Sequence, residues 1–345
     1  MKTILVTGGA GFIGSHTCLC LTEKNYQLIV VDSNINSTNK SLEKIKYMNP
    51  NSKIIFAKGD IRDLSFMRKV FNNARENKSP IEAVIHFAGL KSVGESIANP
   101  LMYWDSNVCG SINLLKIMCE FKCHTIIFSS SATIYGNTKT NPITENEPIN
   151  PTNPYGFTKA AIETILKGIF GSSESSWRIA NLRYFNPIGA HKSGLIGEDP
   201  LGEPNNIFPI LCKVVQGKHK ELRIFGNDWP TFDGTGVRDY IHVMDLAEAH
   251  ISSLEFLIEN KPQYLELNIG TGIGTSVLEL VKTFESVNKC KIPYVFCNRR
   301  IGDVANAVAD NKKIISLLNW VPKRNIKDMC KDGWKWQSLN PKGFN

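Results

Sequence analysis

The sequence predicts an α/β fold, a doubly wound parallel sheet with a smaller C-terminal lobe, from three observations. Short β-branched runs alternate with stretches long enough for helices. A glycine-rich turn joins the first run to the first helix, and late in the chain a segment punctuated by Pro, Gly and Asn breaks the alternation. At 345 residues the chain is about twice the usual single-domain length, so a second lobe is expected. Hydrophobic residues at 42% and charged ones at 21% are those of a folded globular protein.

In chain order the strand candidates are Ile4–Val6, Leu28–Val31, Lys53–Phe56, Ala83–Phe87, Thr125–Phe128, Arg178–Phe185 and Leu265–Ile269. Apolar runs without polar alternation belong to strands covered on both faces, as in parallel sheets. Between them the spacing predicts helices over Ser15–Lys24, Leu64–Asn73, Leu101–Phe121, Tyr155–Phe170, Val243–Ile258 and Val277–Val287, the last preceded by Ser276 and Glu279 at capping-box spacing. Gly171–Ser176 reads as a polar loop. From Asn186 to Asp239, short segments such as Ile207–Val215 and Leu222–Phe225 sit among turn residues and read as an inserted lobe sharing a cleft with the first. The reading assigns residues 1–185, with 240–270 returning, to the first domain, and 186–239 with 271–345 to the second lobe.

The net charge of +8 is dispersed, with no basic cluster interleaved with aromatics, so it reads as solvated surface or as attraction for a phosphorylated small molecule rather than as a nucleic-acid groove. No run is apolar enough to span a bilayer, and Ile4-Leu5-Val6 is too short for a signal-peptide core. Nine cysteines scattered from Cys18 to Cys330, with no C-x-x-C pair, favour a reducing compartment, hence the cytoplasm, and imply no metal site.

Chemistry concentrates in a few places. Thr7-Gly8-Gly9-Ala10-Gly11-Phe12-Ile13-Gly14 spaces Gly8, Gly11 and Gly14 as a variant dinucleotide fingerprint. Its backbone can approach a pyrophosphate and a helix N-terminus offers free N–H groups, although an ordinary strand-to-helix turn has the same look. Asp32 follows Gly14 by eighteen positions, where a carboxylate accepts from an adenosine ribose and repels a 2′-phosphate, favouring NAD over NADP; the plainer alternative is an Asp that caps the following turn. Asp60 could meet the adenine amino group or simply make a turn. Tyr155 and Lys159 stand four positions apart, hence on one helical face, where a Lys ammonium can help stabilise a phenolate of reference pKa about 10. Such a pair is also common as surface decoration. Ser131 closes the Thr125–Phe128 strand, at the edge where doubly wound sheets keep their ligand crevice.

With these motifs the sequence resembles the extended short-chain dehydrogenase/reductases, whose core is a Rossmann-type sheet, and within them the UDP-glucose 4-epimerase family over essentially the whole chain. The resemblance rests also on His86-Phe87-Ala88-Gly89-Leu90-Lys91, Val93-Gly94-Glu95-Ser96, Arg183-Tyr184-Phe185-Asn186-Pro187, Pro204-Asn205-Asn206, Phe225-Gly226-Asn227-Asp228 and Val237-Arg238-Asp239-Tyr240-Ile241-His242. It implies an NAD site lined by Gly8, Gly11, Phe12, Ile13, Gly14, Asp32, Asn36, Asp60, Ile61, Phe87, Ala88, Gly89, Lys91, Ser106, Tyr155, Lys159 and Phe185. Tyr155 is implied as the base, Lys159 as the group that holds the nicotinamide ribose and depresses the phenol, and Ser131 as partner of the sugar 4-oxygen. A UDP-hexose would be gripped by Asn186, Asn206, Ile207, Arg223, Phe225, Arg238, Arg300 and Asp303 beside Ala307. The implied reaction inverts C4 through a 4-keto sugar with NAD regenerated, in a homodimer joined through the Leu101–Phe121 and Tyr155–Phe170 helices.

Two residues depart from the family pattern. Ser106 stands where relatives carry Asn, and Ala307 where they carry Tyr or Cys; the latter change predicts room for UDP-GlcNAc and UDP-GalNAc. A nucleotide-sugar 4,6-dehydratase would need an acid and a base after the strand-end Thr, and Ser131-Ala132-Thr133-Ile134 has no carboxylate. A UDP-glucuronate epimerase or decarboxylase would differ mainly in pocket contacts to a carboxylate. An NAD-binding regulator without activity would be favoured by loss of Tyr155 or Lys159, and both are present.

Overall fold

The computed structural model describes residues 1–345 except 139, 173–175, 203, 205, 301 and 345. Asn205 and the middle of the Gly171–Ser176 loop therefore lie outside the described residues. By internal contacts the chain forms two compact units, one of residues 1–134, 151–183 and 247–267, the other of 135–150, 184–246 and 268–345.

The first unit is built on a seven-stranded sheet. In chain order its elements are β1 (Thr3–Thr7), α1 (Phe12–Glu23), β2 (Gln27–Asp32), α2 (Lys40–Met48), β3 (Ile54–Lys58), α3 (Leu64–Glu76), β4 (Ile81–His86), α4 (Gly110–Glu120), β5 (Thr125–Ser131), α5 (Pro154–Phe170), β6 (Arg178–Tyr184), α6 (Val243–Glu259) and β7 (Gln263–Ile269). The strands lie in the order β7-β6-β5-β4-β1-β2-β3. β1 pairs in parallel with both β2 and β4, β2 with β3, and β4 with β5. The winding thus reverses between β1 and β4, and the crevice beyond the carboxyl ends of these two strands is the topological switch point.

Burial explains the unbroken apolar runs. Ile4, Leu5 and Val6 are fully buried, as are Val84 and Ile85, because helices cover both faces. On one face Leu5, Ile29, Val84, Ile126 and Phe128 pack with Met67, Val70 and Phe71 of α3, Leu114 and Met118 of α4, and Ile162 and Leu166 of α5. Such a core contributes roughly 25 cal/mol per Å² of apolar surface removed from water.

The continuous helix expected over Leu101–Phe121 is instead interrupted. Pro100–Tyr103 runs into a π-helical segment, Trp104–Cys109, before α4 resumes at Gly110. The interruption centres on Asn107: Ser111 Oγ donates to its carbonyl at 2.5 Å, while its buried amide is engaged outside the helix, bonding Leu90 N and O at 2.7 and 3.0 Å and Thr158 Oγ1 at 3.1 Å.

The second unit centres on the strand Val237–His242, which pairs in parallel with Asn186–Ile188 and Asn306–Ala307 and antiparallel with Gly274–Ser276. A separate two-stranded parallel sheet joins Leu222–Phe225 to Tyr294–Cys297. Helices Ile207–Val215, Val277–Asn288 and Ile326–Leu339 bury Phe208, Leu211, Phe284 and Met329. Ser276 and Glu279 form the expected capping box; Asn325 and Asp328 form another that starts Ile326–Leu339, a helix the sequence pattern did not reveal. Among the described residues no helix is long and apolar enough to cross a membrane, and the nine cysteines form no disulfide.

Candidate active site

At the switch point the backbone passes too close to its neighbours for a side chain at Gly8 or Gly14. Gly8 turns the chain at φ +69°, and a Cβ there would lie 2.6 Å from Ala88 N; at Gly14 it would lie 2.3 Å from Gly8 O. Gly11 has room by comparison, its nearest neighbour being 3.4 Å away, and it starts α1 with no side-chain cap. The first-turn amides of α1 are therefore left for an anion, a cradle that fits a dinucleotide pyrophosphate. Phe12 and Ile13, half-buried, open the helix.

Asp32, at the end of β2, fastens this turn. Its Oδ2 accepts Ala10 N at 3.0 Å, while Oδ1 accepts Asn34 N at 2.9 Å and Ser37 Oγ at 2.8 Å. Asn36 is exposed in the same loop. The Asp60 carboxylate accepts the Arg62 guanidinium at 2.7–3.1 Å, which holds it below the usual carboxylate range, and Arg62 spans to Asp105 at 2.6 Å. Asp60 therefore has a protein partner that spacing did not suggest. Ile61 beside it is buried. Across the switch point Phe87 N donates to Thr7 O at 2.9 Å, Ala88 and Gly89 follow half-buried, and Lys91 is exposed. Ser106 sits half-buried in the π-helical segment next to Asn107. Phe185, expected with the cofactor residues, is buried in the second unit, its N donating to Ile269 O at 3.1 Å.

The candidate reacting groups converge where β5 ends. Asn153 caps α5 by accepting Gly156 N at 2.9 Å, and Pro154 occupies its first turn, so Tyr155 and Lys159 leave from the first two turns of a well-anchored helix. Ser131 acts on the buried Tyr155 hydroxyl, opposing the effect of burial, and its Oγ accepts Thr133 Oγ1 at 2.9 Å. Lys159 Nζ donates to the Ser129 carbonyl at 2.6 Å and lies 4.8 Å from the Phe128 ring centroid.

Burial dominates the electrostatics of this pair. Burial pushes Tyr155 up to about 12, with the Ser131 hydrogen bond opposing. The ammonium is spent on the Ser129 carbonyl rather than on the hydroxyl, and desolvation of the phenolate wins. Burial likewise brings Lys159 down to about 7, opposed by Glu163. His86 is driven to about 3 by burial and by Lys159.

Within the second unit, Arg238 Nη1 donates to Val237 O at 2.9 Å and Val304 O at 2.8 Å, and its Nη2 lies 3.4 Å from Asp303. Ala307 is its partner on the adjacent strand. The Arg300 guanidinium lies 3.9 Å from the Phe225 ring centroid, and Arg223 Nε donates to Cys297 Sγ at 3.4 Å. Asn186 and Asn206 are exposed, and Asn206 starts the helix at Ile207 without a side-chain cap bond.

Sequence reading missed Asn107, Thr133 and Glu163. Glu163 alone carried a signal, standing one further turn along the face of Tyr155 and Lys159.

A family model described as GDP-mannose 4,6 dehydratase matches residues 5–333. UDP-glucose 4-epimerase 2 of Arabidopsis thaliana is 49% identical over 346 residues, covering 100% of this chain and 97% of that protein. Among solved structures, UDP-glucose 4-epimerase from Stenotrophomonas maltophila, with bound NAD and formylated UDP-arabinopyranose, superposes with a TM-score of 0.94 at 43% identity, covering 99% of each chain. The enzyme from Bifidobacterium longum, in complex with NAD+ and UDP, gives 0.93 at 45% identity over 99% of this chain and 100% of that one. The Ser131–Tyr155–Lys159 end of the sheet, which lacks the carboxylate a dehydratase would place after Thr133, agrees with these relatives, and the chain belongs to the UDP-glucose 4-epimerase family of extended short-chain dehydrogenase/reductases.

Proposed function

We propose that the chain inverts C4 of UDP-hexoses, interconverting UDP-glucose and UDP-galactose, with NAD as its resident cofactor. The observation that carries the reading is the convergence at the end of β5 of Ser131 with Tyr155 and Lys159, which stand one turn apart on α5 with Lys159 Nζ 5.8 Å from the Tyr155 ring centroid. Gly8, Gly11 and Gly14 would receive the pyrophosphate, Asp32 the adenosine ribose, and Asp60, Ile61, Phe87 and Lys91 the remainder of the dinucleotide. When bound, NAD supplies a reversible hydride acceptor and positive charge close to the phenol.

The protein's part is proton handling and anchoring. Tyr155 Oη takes the proton of the 4-hydroxyl and later returns it, Ser131 holds the 4-oxygen in line, and Lys159 supplies cationic charge. Arg238, Arg300 and Arg223 offer guanidinium groups to the diphosphate and nucleotide, with Asn186, Asn206 and Asp303 beside them. Anchoring through UDP leaves the hexose free to present its other face; a grip that fixed the sugar equally in each pose would block inversion. On this reading residues 1–185 with 240–270 hold NAD, and 186–239 with 271–345 hold the UDP-sugar. Incubation with UDP-galactose, read by NMR, should yield UDP-glucose with no net reduction or oxidation; a 4-keto-6-deoxy product or no turnover would reject the assignment.

A second sugar pair, UDP-GlcNAc and UDP-GalNAc, follows from Ala307, whose single methyl stands beside Arg238 where the family carries a bulkier group. Homodimerisation is proposed through α4 and α5, which leave an apolar groove lined by Ile112, Leu115, Cys119, Ile165 and Ile169, with Leu101 and Phe157 exposed nearby in sequence. A cytoplasmic location is in keeping with nine cysteines and no disulfide.

A further inference from the structure

Behind the reacting pair lies a set of buried charges that the reaction as outlined does not use. Glu163 is 1% exposed and one turn beyond Lys159 on α5. Its Oε1 accepts Ser130 Oγ of β5 at 2.5 Å, and its carboxylate takes Arg183 of β6 through Nε at 3.1 and 3.3 Å and Nη2 at 2.6 Å. Arg183, also 1% exposed, reaches Glu266 of β7 at 3.0 Å. Lys159 is tied to the residue before Ser130, through the Ser129 carbonyl. The two cations and two anions form a formally neutral group beneath the strand end that presents Ser131.

We propose that Glu163 is a positioning residue for the reaction: its carboxylate ties the Ser129–Ser131 strand end to the helix carrying Tyr155 and Lys159, and its charge offsets that of the Lys159 ammonium. The proposal rests on the reading of Tyr155 and Lys159 as the reacting pair. Ions are costly to bury, and a well-packed apolar replacement often serves stability as well or better, so stability alone is a weak reason for this group. Two strands and the catalytic helix meet on one carboxylate, a third strand joins through Arg183, and Ser130 immediately precedes Ser131. The charged and titratable groups that face Lys159 are Tyr155 and Glu163 from α5 and His86 from β4; Arg183 and Glu266 stand on Glu163 from β6 and β7. His86 is held neutral, so Glu163 is the anion that opposes the loss of the Lys159 proton. Neutralising it leaves Lys159 and Arg183 with Glu266 alone.

The test follows the Lys159 side chain directly, by ¹³Cε-lysine NMR of the protein as purified, with the resonance identified by its absence from Lys159→Met. In Glu163→Gln the Lys159 titration midpoint should fall by about one pH unit, a tenfold change in proton affinity, and the alkaline limb of kcat on UDP-galactose should fall with it while KM changes less than about twofold. Glu163→Asp, which keeps the charge, should hold the midpoint within about half a unit of wild type, and Ser130→Ala should leave the midpoint in place but lower kcat several-fold. A folded Glu163→Gln with a wild-type midpoint and pH profile would overturn the proposal; if that variant does not fold, full kcat in Ser130→Ala would. A wild-type protein that does not turn over UDP-galactose would overturn the epimerase reading, while the NMR midpoints would still decide whether Glu163 sets the charge of Lys159.

Discussion

A phenol pushed up to about 12 by burial is a poor proton acceptor near neutrality. Tyr155 therefore depends on cationic charge arriving at its oxygen, and Lys159, itself brought down to about 7, is at the edge of being able to provide it. At this scale the sequence was informative where spacing on one helix sets geometry, as for Tyr155 and Lys159. It was silent where partners come from distant segments, as for Asp105 on Arg62 or Asn107 on Leu90. Substrate choice also belongs here. Ala307→Tyr should lower kcat/KM for UDP-GalNAc by at least about tenfold and leave UDP-galactose within about threefold, measured side by side; equal losses would mean that residue 307 does not line the space beside the sugar C2 substituent.

The glycine turn and the strands beside it convert these residues into a site. Because Gly8 has positive φ and its Cβ would meet Ala88 N at 2.6 Å, Gly8→Ala must displace the β1 turn or the β4 loop. A loss of about 1–3 kcal/mol in unfolding free energy is expected, together with weaker NAD retention; unchanged stability in urea titration would contradict the crowding. Next to it, Thr7 Oγ1 bonds His86 Nδ1 at 2.7 Å and Ser111 Oγ lies 2.8 Å from Nε2. Since Ser111 spends its proton on the Asn107 carbonyl, it accepts from Nε2–H, and neutral His86 accepts from Thr7. With a folded pKa of about 3 against 6.5 unfolded, the unfolded chain binds the extra proton between those values. The stability that neutral His86 preserves is present above pH 6.5 and is lost as pH falls toward 3, by an amount on the order of a few kcal/mol. Thermal melts across that window should show the loss, and His86→Gln should flatten it. The apolar periodicity over Leu101–Phe121 gave no sign of its π-helical interruption, because the cause is the contact of Asn107 with residues far along the chain.

For the molecule as a whole, the parallel sheet was legible because strands buried on both faces must be apolar throughout, and all seven strand candidates fall within the observed sheet strands apart from end residues. The second unit was less legible: its strands run as short as two residues, Asn306–Ala307, and its helix Ile326–Leu339 buries Met329, Cys330 and Trp336 among lysines and aspartates, a stripe too sparse to stand out. The second group of candidate residues, around Arg238 and Phe225, was proposed from long peptides rather than from periodicity. What unites the whole is the assignment of proton transfer to one phenolic oxygen. The most direct measurement is turnover of UDP-galactose by Tyr155→Phe with NAD content matched to wild type. A kcat lower by at least about 100-fold with nucleotide binding retained is expected for loss of a general base. A kcat within a few-fold of wild type would contradict that assignment.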